Sequence, residues 1–299
     1  MPLDAKKNEA TRFQEVVRCK SCATAMIWPQ PLAADIAGFY ELADYYTHGV
    51  SHIREVQITL FDRLLTKLAW WSDWPTPFDT SRMAEMLPQG ARVCDLGCGH
   101  AGILKRFADK GCSVIGVDPD PTSREVAAKS GITVVEGTAE APPALGQFDL
   151  VIMTHSLEHC LDPIRAITSA YRMTKPGGYF YCEVPNCGCL HFETLTACSE
   201  MFDSPRHLWF FTSDGLRRAI EGRGYVFDSW RYDGFTRHHS PSWRAWEMTI
   251  AQRLADRGLK GKRHTFLQSA WLWARSAFAP AHKKYDCVGV LAKKDPSPS

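Results

Sequence analysis

The sequence lacks the segments that mark secreted and membrane-spanning proteins. Its first residues, MPLDAKKNEA, contain no apolar h-region, and no stretch approaches the ~18 uninterrupted apolar residues of a membrane span. Its eleven cysteines are an odd number scattered along the chain, which argues against a disulfide framework. We therefore expect a cytoplasmic protein with reduced cysteines and no transmembrane segment.

The composition is that of a globular enzyme-sized chain. With 299 residues, 45% of them hydrophobic, it can bury the core of one large α/β domain with additions. The net charge of +2 hides an asymmetry, because residues 236–294 contain twelve Lys or Arg against three acidic residues. The pI near 8.0 and the lack of a recognised binding module argue against nucleic acid as a partner.

Short β-rich runs alternate with helical stretches through the middle of the chain, which predicts a parallel sheet with crossover helices. The candidate strands are residues 92–96, 113–118, 132–137, 148–155, 177–185, 225–232 and 285–294. Residues 50–71 are predicted to be helical from the spacing of Ile53, Val56, Leu60, Leu64 and Leu68. We expect three parts: a CxxC segment and helical lid in 1–80, a cofactor-binding core in 81–235, and a basic, Trp-rich helical insertion with the final strand in 236–299.

A glycine-rich loop follows the first strand of this core. Gly97, Gly99 and Gly102 have the G-x-G-x-x-G spacing of a dinucleotide-binding turn. Asp95 precedes them, and its charge would oppose a pyrophosphate at the same place. S-adenosylmethionine has no phosphate and carries an ammonium and a sulfonium, so the electrostatics favour this cofactor over NAD. Asp118 ends the next strand, where a carboxylate can accept hydrogen bonds from ribose hydroxyls.

The ordered segments DLGCG, GVDPD, FDLVIMTHSLEHCLDP and MTKPGGYFYCEVPN resemble the motif series of class I S-adenosylmethionine-dependent methyltransferases. The resemblance covers roughly residues 92–232 and implies a Rossmann-like, doubly wound sheet of seven mostly parallel strands with an antiparallel last strand. It also implies cofactor contacts. They would come from Asp95, Gly97, Cys98, Gly99, Asp118, Thr138, Ala139, Thr154 and His155, with Glu140 or backbone as alternatives at the adenine amine.

Methylation of a hydroxyl requires a base that removes its proton, and we expect this base near the end of the fourth strand. HSLEH offers His155, Glu158 and His159 at i, i+3 and i+4, which would point one way in a helical turn. A similar cluster in ubiquinone-type O-methyltransferases binds a divalent cation, but its first member is acidic there, so His155 argues against a metal. A structural turn is the alternative. His207 in SPRHLWFFTSDGL is a second candidate base, with packing against Trp209 and Phe210 as its alternative.

The N-terminal stretch RCKSCATAMIWPQP resembles half of the zinc ribbon found on some sugar methyltransferases. It supplies one pair, Cys19 and Cys22, whereas structural zinc requires four ligands. Cys187 and Cys189 would complete a site if the N-terminal segment folded over the loop after the fifth strand. A hairpin without metal is the alternative, and we predict no metal.

The basic C-terminal insertion contains two amphipathic runs. Trp243, Trp246, Ile250 and Leu254 form one stripe, and Trp271, Ala274, Arg275 and Phe278 form another. We expect both stripes to pack on the core while the cations face water. The alternatives are that the cations attract an anionic acceptor or a membrane surface.

These patterns predict an S-adenosylmethionine-dependent methyltransferase that acts on a small-molecule acceptor, first of all on oxygen with histidine-assisted deprotonation. C- or N-methylation of a nucleotide-linked sugar is an alternative. An NAD-dependent oxidoreductase and a non-catalytic binding subunit are alternatives from other classes. Oligomeric state and the identity of the acceptor are not encoded in a recognisable pattern.

Overall fold

The computed structural model describes residues 3–13, 15–40 and 53–296. Its strands are β1 (Leu3–Asp4), β2 (Glu9–Ala10), β3 (Glu15–Arg18), β4 (Ala25–Trp28), β5 (Arg92–Leu96), β6 (Ser113–Val117), β7 (Val134–Val135), β8 (Phe148–Thr154), β9 (Thr174–Pro185), β10 (Trp209–Phe210), β11 (Tyr225–Asp233) and β12 (Cys287–Lys294). Its α-helices are α1 (Ala33–Phe39), α2 (Leu60–Trp71), α3 (Thr80–Met86), α4 (Gly102–Ala108), α5 (Pro121–Lys129), α6 (Pro163–Met173), α7 (Leu190–Leu195), α8 (Ser213–Glu221), α9 (Pro241–Ala255), α10 (Phe266–Ser276) and α11 (Ala281–Lys284).

Seven strands form the central sheet in the order β11-β12-β9-β8-β5-β6-β7. All neighbouring pairs are parallel except those of β12, which is antiparallel to both β9 and β11. The strand order reverses direction beside β5, so that the ends of β5 and β8 border a crevice of the kind that binds ligands in open α/β sheets. The predicted Rossmann-like sheet with an antiparallel last strand is therefore confirmed.

The sheet is covered on both faces, as is typical of central parallel strands that are mostly apolar and buried, here β5 and β8. Cys94 and Val151 belong to the apolar cluster that includes α6 and α8 residues, whereas their neighbours Val93 and Leu150 belong to the cluster of α4 and α5. This alternation is the period of two expected of strands. The same alternation determines which side chains at the carboxyl ends of the strands point to each face of the sheet.

The predicted helix at 50–71 is wrong over residues 53–59, which are not helical, while residues 50–52 lie outside the described residues. The helix begins at Leu60 because Thr59 caps it: the Thr59 hydroxyl accepts from the Asp62 backbone, and the Asp62 carboxylate accepts from Thr59. Its buried side chains are Asp62, Leu65 and Ala69, so the predicted stripe through Leu60 and Leu64 faces outward.

Of the two apolar stripes predicted in the C-terminal insertion, the structure buries part of the first and exposes the second. On α9, Ile250 and Leu254 are buried as predicted. On α10, however, the buried side chains are Ser269, Leu272 and Ser276, and Trp271 is exposed. The prediction that this second stripe packs on the core is therefore wrong. The buried side of α10 is instead formed by Leu272 and two small serines.

The N-terminal hairpin of β3 and β4 joins β10 in a small antiparallel sheet. The Thr212 hydroxyl donates to the Cys22 carbonyl, and the Cys187 amide donates to Phe211. The hairpin thus lies beside the loop after β9. No described helix is long and apolar enough to cross a membrane.

Candidate cofactor and acceptor site

Two glycines shape the turn between β5 and α4. Gly97 has φ of +80°, and a Cβ there would lie 2.5 Å from the Cβ of Ser156. Gly99 has φ of +50°, and its amide donates to Asp118 Oδ2 at 2.8 Å. Only glycine fits the first position, because both the backbone angle and the space oppose a side chain. The turn therefore brings backbone close to the carboxyl ends of β5 and β6.

Asp95 and Asp118 stand at these two strand ends. Asp118 accepts amide protons from Gly99 and Asp120, one on each carboxylate oxygen, which leaves a further lone pair on each oxygen. Asp95 is buried, and its Oδ1 has no hydrogen-bond partner among the described residues. Burial and the charge of Asp118 raise the pKa of Asp95 to about 8. A cationic ligand group beside Asp95 would relieve both effects.

The other expected cofactor residues surround this turn. Cys98 is buried, with its sulfur against Gly116 of β6. After β7, Thr138 accepts the amide proton of Ala141, and Ala139 is buried. Glu140 accepts the amide proton of Leu161 at 2.9 Å, so its carboxylate is already engaged. These placements agree with a pocket that continues from the glycine turn toward the end of β7.

His155 follows β8 and is held between two carboxylates. Its Nδ1 lies 3.5 Å from Glu158 Oε1, and its Nε2 lies 3.5 Å from Glu183 Oε1 and 3.6 Å from Cys287 Sγ. Burial alone would lower the pKa of His155, but Cys287 and the two carboxylates outweigh it and raise this pKa well above its ordinary value. With φ of +50°, the residue also adopts a left-handed conformation, which is uncommon outside glycine.

His159 and His207 lie on the other side of Glu158. Their ring centroids are 4.8 Å apart, and both rings are anchored through Nδ1, His159 to the Arg206 carbonyl and His207 to that of Met201. Burial and the nearby His207 lower the pKa of His159 to about 4. The predicted cluster is therefore split: His155 and His159 are both half-buried but contact different groups, and His207 is buried beside His159.

Several groups could offer ligands to a metal ion. Glu158, His159 and His207 have ligand atoms within 4.8 Å of one another, as do His155, Glu183 and Cys287. The cysteine site considered above does not form, because no such group of described residues contains Cys19, Cys22, Cys187 or Cys189. The hairpin approaches the loop as that site required, but Cys187 and Cys189 are buried in an apolar cluster with Ile27 and Phe210.

Sequence reasoning missed four polar residues at the edge of the sheet beside His155. Glu183, Asp233 and Cys287 lie at the ends of three adjacent strands, and Arg237 donates to the Asp286 carboxylate beside them. Burial and Glu183 raise the pKa of Asp233 to about 6. The antiparallel last strand could have indicated these residues. Because β12 runs opposite to β9, its first residue, Cys287, must lie beside the last residues of β9.

The residues present fit S-adenosylmethionine. A buried carboxyl oxygen without a described partner suits the cationic end of this molecule, and the free lone pairs of Asp118 suit ribose hydroxyls. A pyrophosphate would instead meet two carboxylates at the mouth of the turn.

Comparisons with known proteins agree with this assignment. A family model described as a methyltransferase domain matches residues 79–229. A ubiquinone biosynthesis O-methyltransferase of Cereibacter sphaeroides is 32% identical over 183 residues, covering 54% of this chain and 74% of the relative. One of Pseudomonas aeruginosa is 36% identical over 107 residues, covering 32% of this chain and 45% of the relative.

The fold is also shared with solved structures. The cyclase SpnF superposes with a TM-score of 0.51 at 17% identity, covering 80% of this chain and 94% of the other. A candidate methyltransferase from Bacillus halodurans gives 0.50 at 18% identity, with 73% and 99% covered. The family match excludes the NAD-dependent alternative and establishes S-adenosylmethionine as the cofactor. Sheet, glycine turn and family model together show that the chain is a class I S-adenosylmethionine-dependent methyltransferase.

Proposed function

We propose that this enzyme methylates a hydroxyl oxygen of a small-molecule acceptor, with His155 as the base that removes the proton. The observation that carries the proposal is the position of the His155 ring at the sheet's carboxyl edge, one nitrogen toward Glu158 and the other toward Glu183. The Cereibacter relative is named for O-methylation in ubiquinone biosynthesis, which supports oxygen as the target.

Glu158 is the positioning residue for this base. It is 1% exposed, and neither of its carboxylate oxygens has a hydrogen-bond partner among the described residues, so His155 Nδ1 at 3.5 Å is a natural donor to it. An Nδ1–H directed at Glu158 leaves Nε2 as the basic nitrogen. Nε2 would take the proton of the acceptor hydroxyl as the oxygen forms its bond to the methyl carbon and the methyl–sulfur bond breaks, leaving the sulfur as a neutral thioether.

The cofactor-binding residues would hold the donor at the neighbouring strand ends. Asp95 and the turn of Gly97, Cys98 and Gly99 would take the methionine end, Asp118 the ribose, and Thr138 and Ala139 the adenine side; Thr154 would close the site. S-adenosylmethionine supplies an electrophilic methyl group when bound. The protein then mainly orients donor and acceptor, as an in-line displacement requires.

The charges around His155 favour a neutral acceptor over an anionic one. Glu158, Glu183 and Asp233 contribute carboxyl groups to this edge, and Arg237 is already engaged by the Asp286 carboxylate. An anionic acceptor would meet like charges here. We therefore propose an uncharged, hydroxyl-bearing acceptor that can donate hydrogen bonds to these carboxylates.

The experiment is a methyl-transfer assay with labelled S-adenosylmethionine against phenols, hydroxy acids and nucleotide sugars. Wild type is expected to label phenolic oxygen, and His155→Gln should lower kcat at least about a hundredfold while the protein still binds S-adenosylmethionine. His282→Gln, at an exposed histidine on α11, is the matched control and should retain activity. An unaltered kcat in His155→Gln would contradict the role of His155, and labelling confined to nucleotide sugars would contradict the proposed acceptor.

A further inference from the structure

The outer surface of α2 and α10 is apolar and exposed. Its members are between 45% and 79% exposed, and we call them the outer face: Leu60, Leu64, Trp71, Leu267, Trp271 and Phe278. Large apolar side chains that are exposed together, rather than singly, mark surfaces that bind a partner or a membrane. The face needs an occupant.

The two helices lie side by side and run in the same direction. Phe61 contacts Phe266 near the start of both helices, with ring centroids 6.1 Å apart. Near their ends the Trp273 indole donates to the Ser72 hydroxyl, and Trp71 contacts Phe278. These contacts join the start of α2 to the start of α10 and the end of α2 to the end of α10, so the exposed apolar side chains belong to two helices packed side by side.

Cations accompany this surface, and α2 and α10 contribute no exposed acidic side chain to it. Exposed Arg63 and Lys67 lie one turn apart on α2, and Arg275 lies over the Trp271 ring on α10. Residues 260–276 contain no Asp or Glu, and the single acid of residues 60–71, Asp62, is buried against Arg244. Exposed Lys260, Lys262 and Arg263 extend the positive charge toward the start of α10.

We propose that the outer face docks this enzyme on the surface of an anionic phospholipid bilayer. An apolar face rich in tryptophan and bordered by Lys and Arg is the composition of helices that lie in the membrane interface, where the rings enter the headgroup region and the cations meet lipid phosphates. Because α2 and α10 present exposed cations and no exposed acid, a bilayer fits this face better than a second copy of the chain, which would bring the same cations against themselves.

The outer face is connected to the edge of the sheet that holds His155. Lys284, just before β12, donates to the carbonyls of Ser72 and Ala277 at the ends of the helix pair. The Trp74 amide donates to the Tyr285 hydroxyl at 3.0 Å. Cys287, which faces His155, follows two residues later. The bilayer would therefore lie near the acceptor side of the enzyme.

Vesicle co-sedimentation of the full chain tests the proposal. The protein should sediment with vesicles of phosphatidylcholine and phosphatidylglycerol, and at least about tenfold less with phosphatidylcholine alone or in high salt. Leu64→Ser combined with Leu267→Ser should weaken binding roughly tenfold or more. Val226→Ser, at an exposed valine of β11, should leave it unchanged.

A second pair of double variants tests how much the cations contribute to vesicle binding. Arg63→Glu with Lys67→Glu should weaken binding roughly tenfold or more, whereas Arg106→Glu with Lys110→Glu, an exposed pair of the same spacing at the end of α4, should not. Equal sedimentation with both vesicle types, or with neither, would overturn the proposal. So would a dimer in size-exclusion chromatography that the Leu64 and Leu267 changes dissociate, because it would assign the outer face to a second copy.

Discussion

The carboxyl groups of Asp95 and Asp118 end two adjacent strands, and burial together with the charge of Asp118 raises the pKa of Asp95 to about 8. The protein thus places two acids where like charges oppose each other. Such an arrangement is costly among protein groups alone, and it becomes favourable when a cation approaches Asp95. Perturbed carboxyl groups of this kind are typical of functional sites.

Removal of the Asp118 carboxylate should weaken cofactor binding. Asp118→Ala leaves the Gly99 and Asp120 amides without their acceptor and removes the proposed ribose contacts, so we expect at least about a tenfold rise in the Kd of S-adenosylmethionine. Isothermal titration calorimetry measures it, with Asp109→Ala, at an exposed acid after α4, as control. An unchanged Kd for Asp118→Ala would remove this residue from the cofactor site.

Gly97 should be intolerant of a side chain for two separate reasons. Gly97→Ala combines strain at φ of +80° with a Cβ 2.5 Å from Ser156, whereas Gly90→Ala has a similar φ of +70° and open space around it. We expect destabilisation of about 1 kcal/mol for Gly90→Ala and clearly more, about 3 kcal/mol, for Gly97→Ala. Equal losses in denaturant unfolding would show that space at Gly97 is irrelevant.

Glu158 should set the pH dependence of turnover. The pKa of His155 is raised well above its ordinary value, and a base must be neutral, so kcat should increase as the pH rises above 7. Glu158→Gln removes one of the charges that stabilise protonated His155. The rising limb of the kcat profile should therefore shift to lower pH while maximal kcat falls. A profile that stays in place would show that Glu158 does not act through His155.

The buried histidines of the C-terminal insertion should make the fold sensitive to acid. Burial, followed by nearby His191, lowers the pKa of His239 to about 3 and that of His238 well below its ordinary value. In the unfolded chain these groups bind protons below about pH 6.5, so the unfolded state gains protons first and stability falls with decreasing pH.

His239→Gln should reduce this loss. Between pH 6.5 and 4.5 the slope of unfolding free energy against pH should be shallower in His239→Gln than in wild type. The exposed His282→Gln should leave the slope unchanged. An identical slope in all three proteins would contradict the assignment of neutral His239 in the folded state.

The sequence was most informative where local pattern and long-range packing agree. The strands β5 and β6 consist mainly of apolar residues, with Asp95 and Asp118 near their carboxyl ends, so both the sheet and the position of the acids could be predicted. The spacing of Leu60 and Leu64 indicated a helix correctly but not its buried face. Periodicity identifies an apolar stripe and does not specify whether the core or another surface covers it.

The acceptor side was less accessible to prediction because its residues come from distant segments. His155 and Cys287 are 132 positions apart, and their proximity depends on the antiparallel insertion of β12 beside β9. The strand itself could be predicted, but not the side chains that its register brings to the edge. The split of His155 from His159 across Glu158 likewise follows from packing against the Arg206–Leu208 segment.

The central claim is that Asp95 receives the cationic end of S-adenosylmethionine. Its most direct test is the number of protons that the protein releases when the cofactor binds. S-adenosylmethionine is titrated into wild type and Asp95→Asn at pH 7 in buffers of different ionisation enthalpy, which gives the number of protons released. If a cation must approach an Asp95 whose pKa is about 8, wild type should release roughly one proton and Asp95→Asn none, with wild-type affinity increasing between pH 6 and 7.5. Binding without proton release in wild type, at an affinity equal to that of Asp95→Asn, would contradict it.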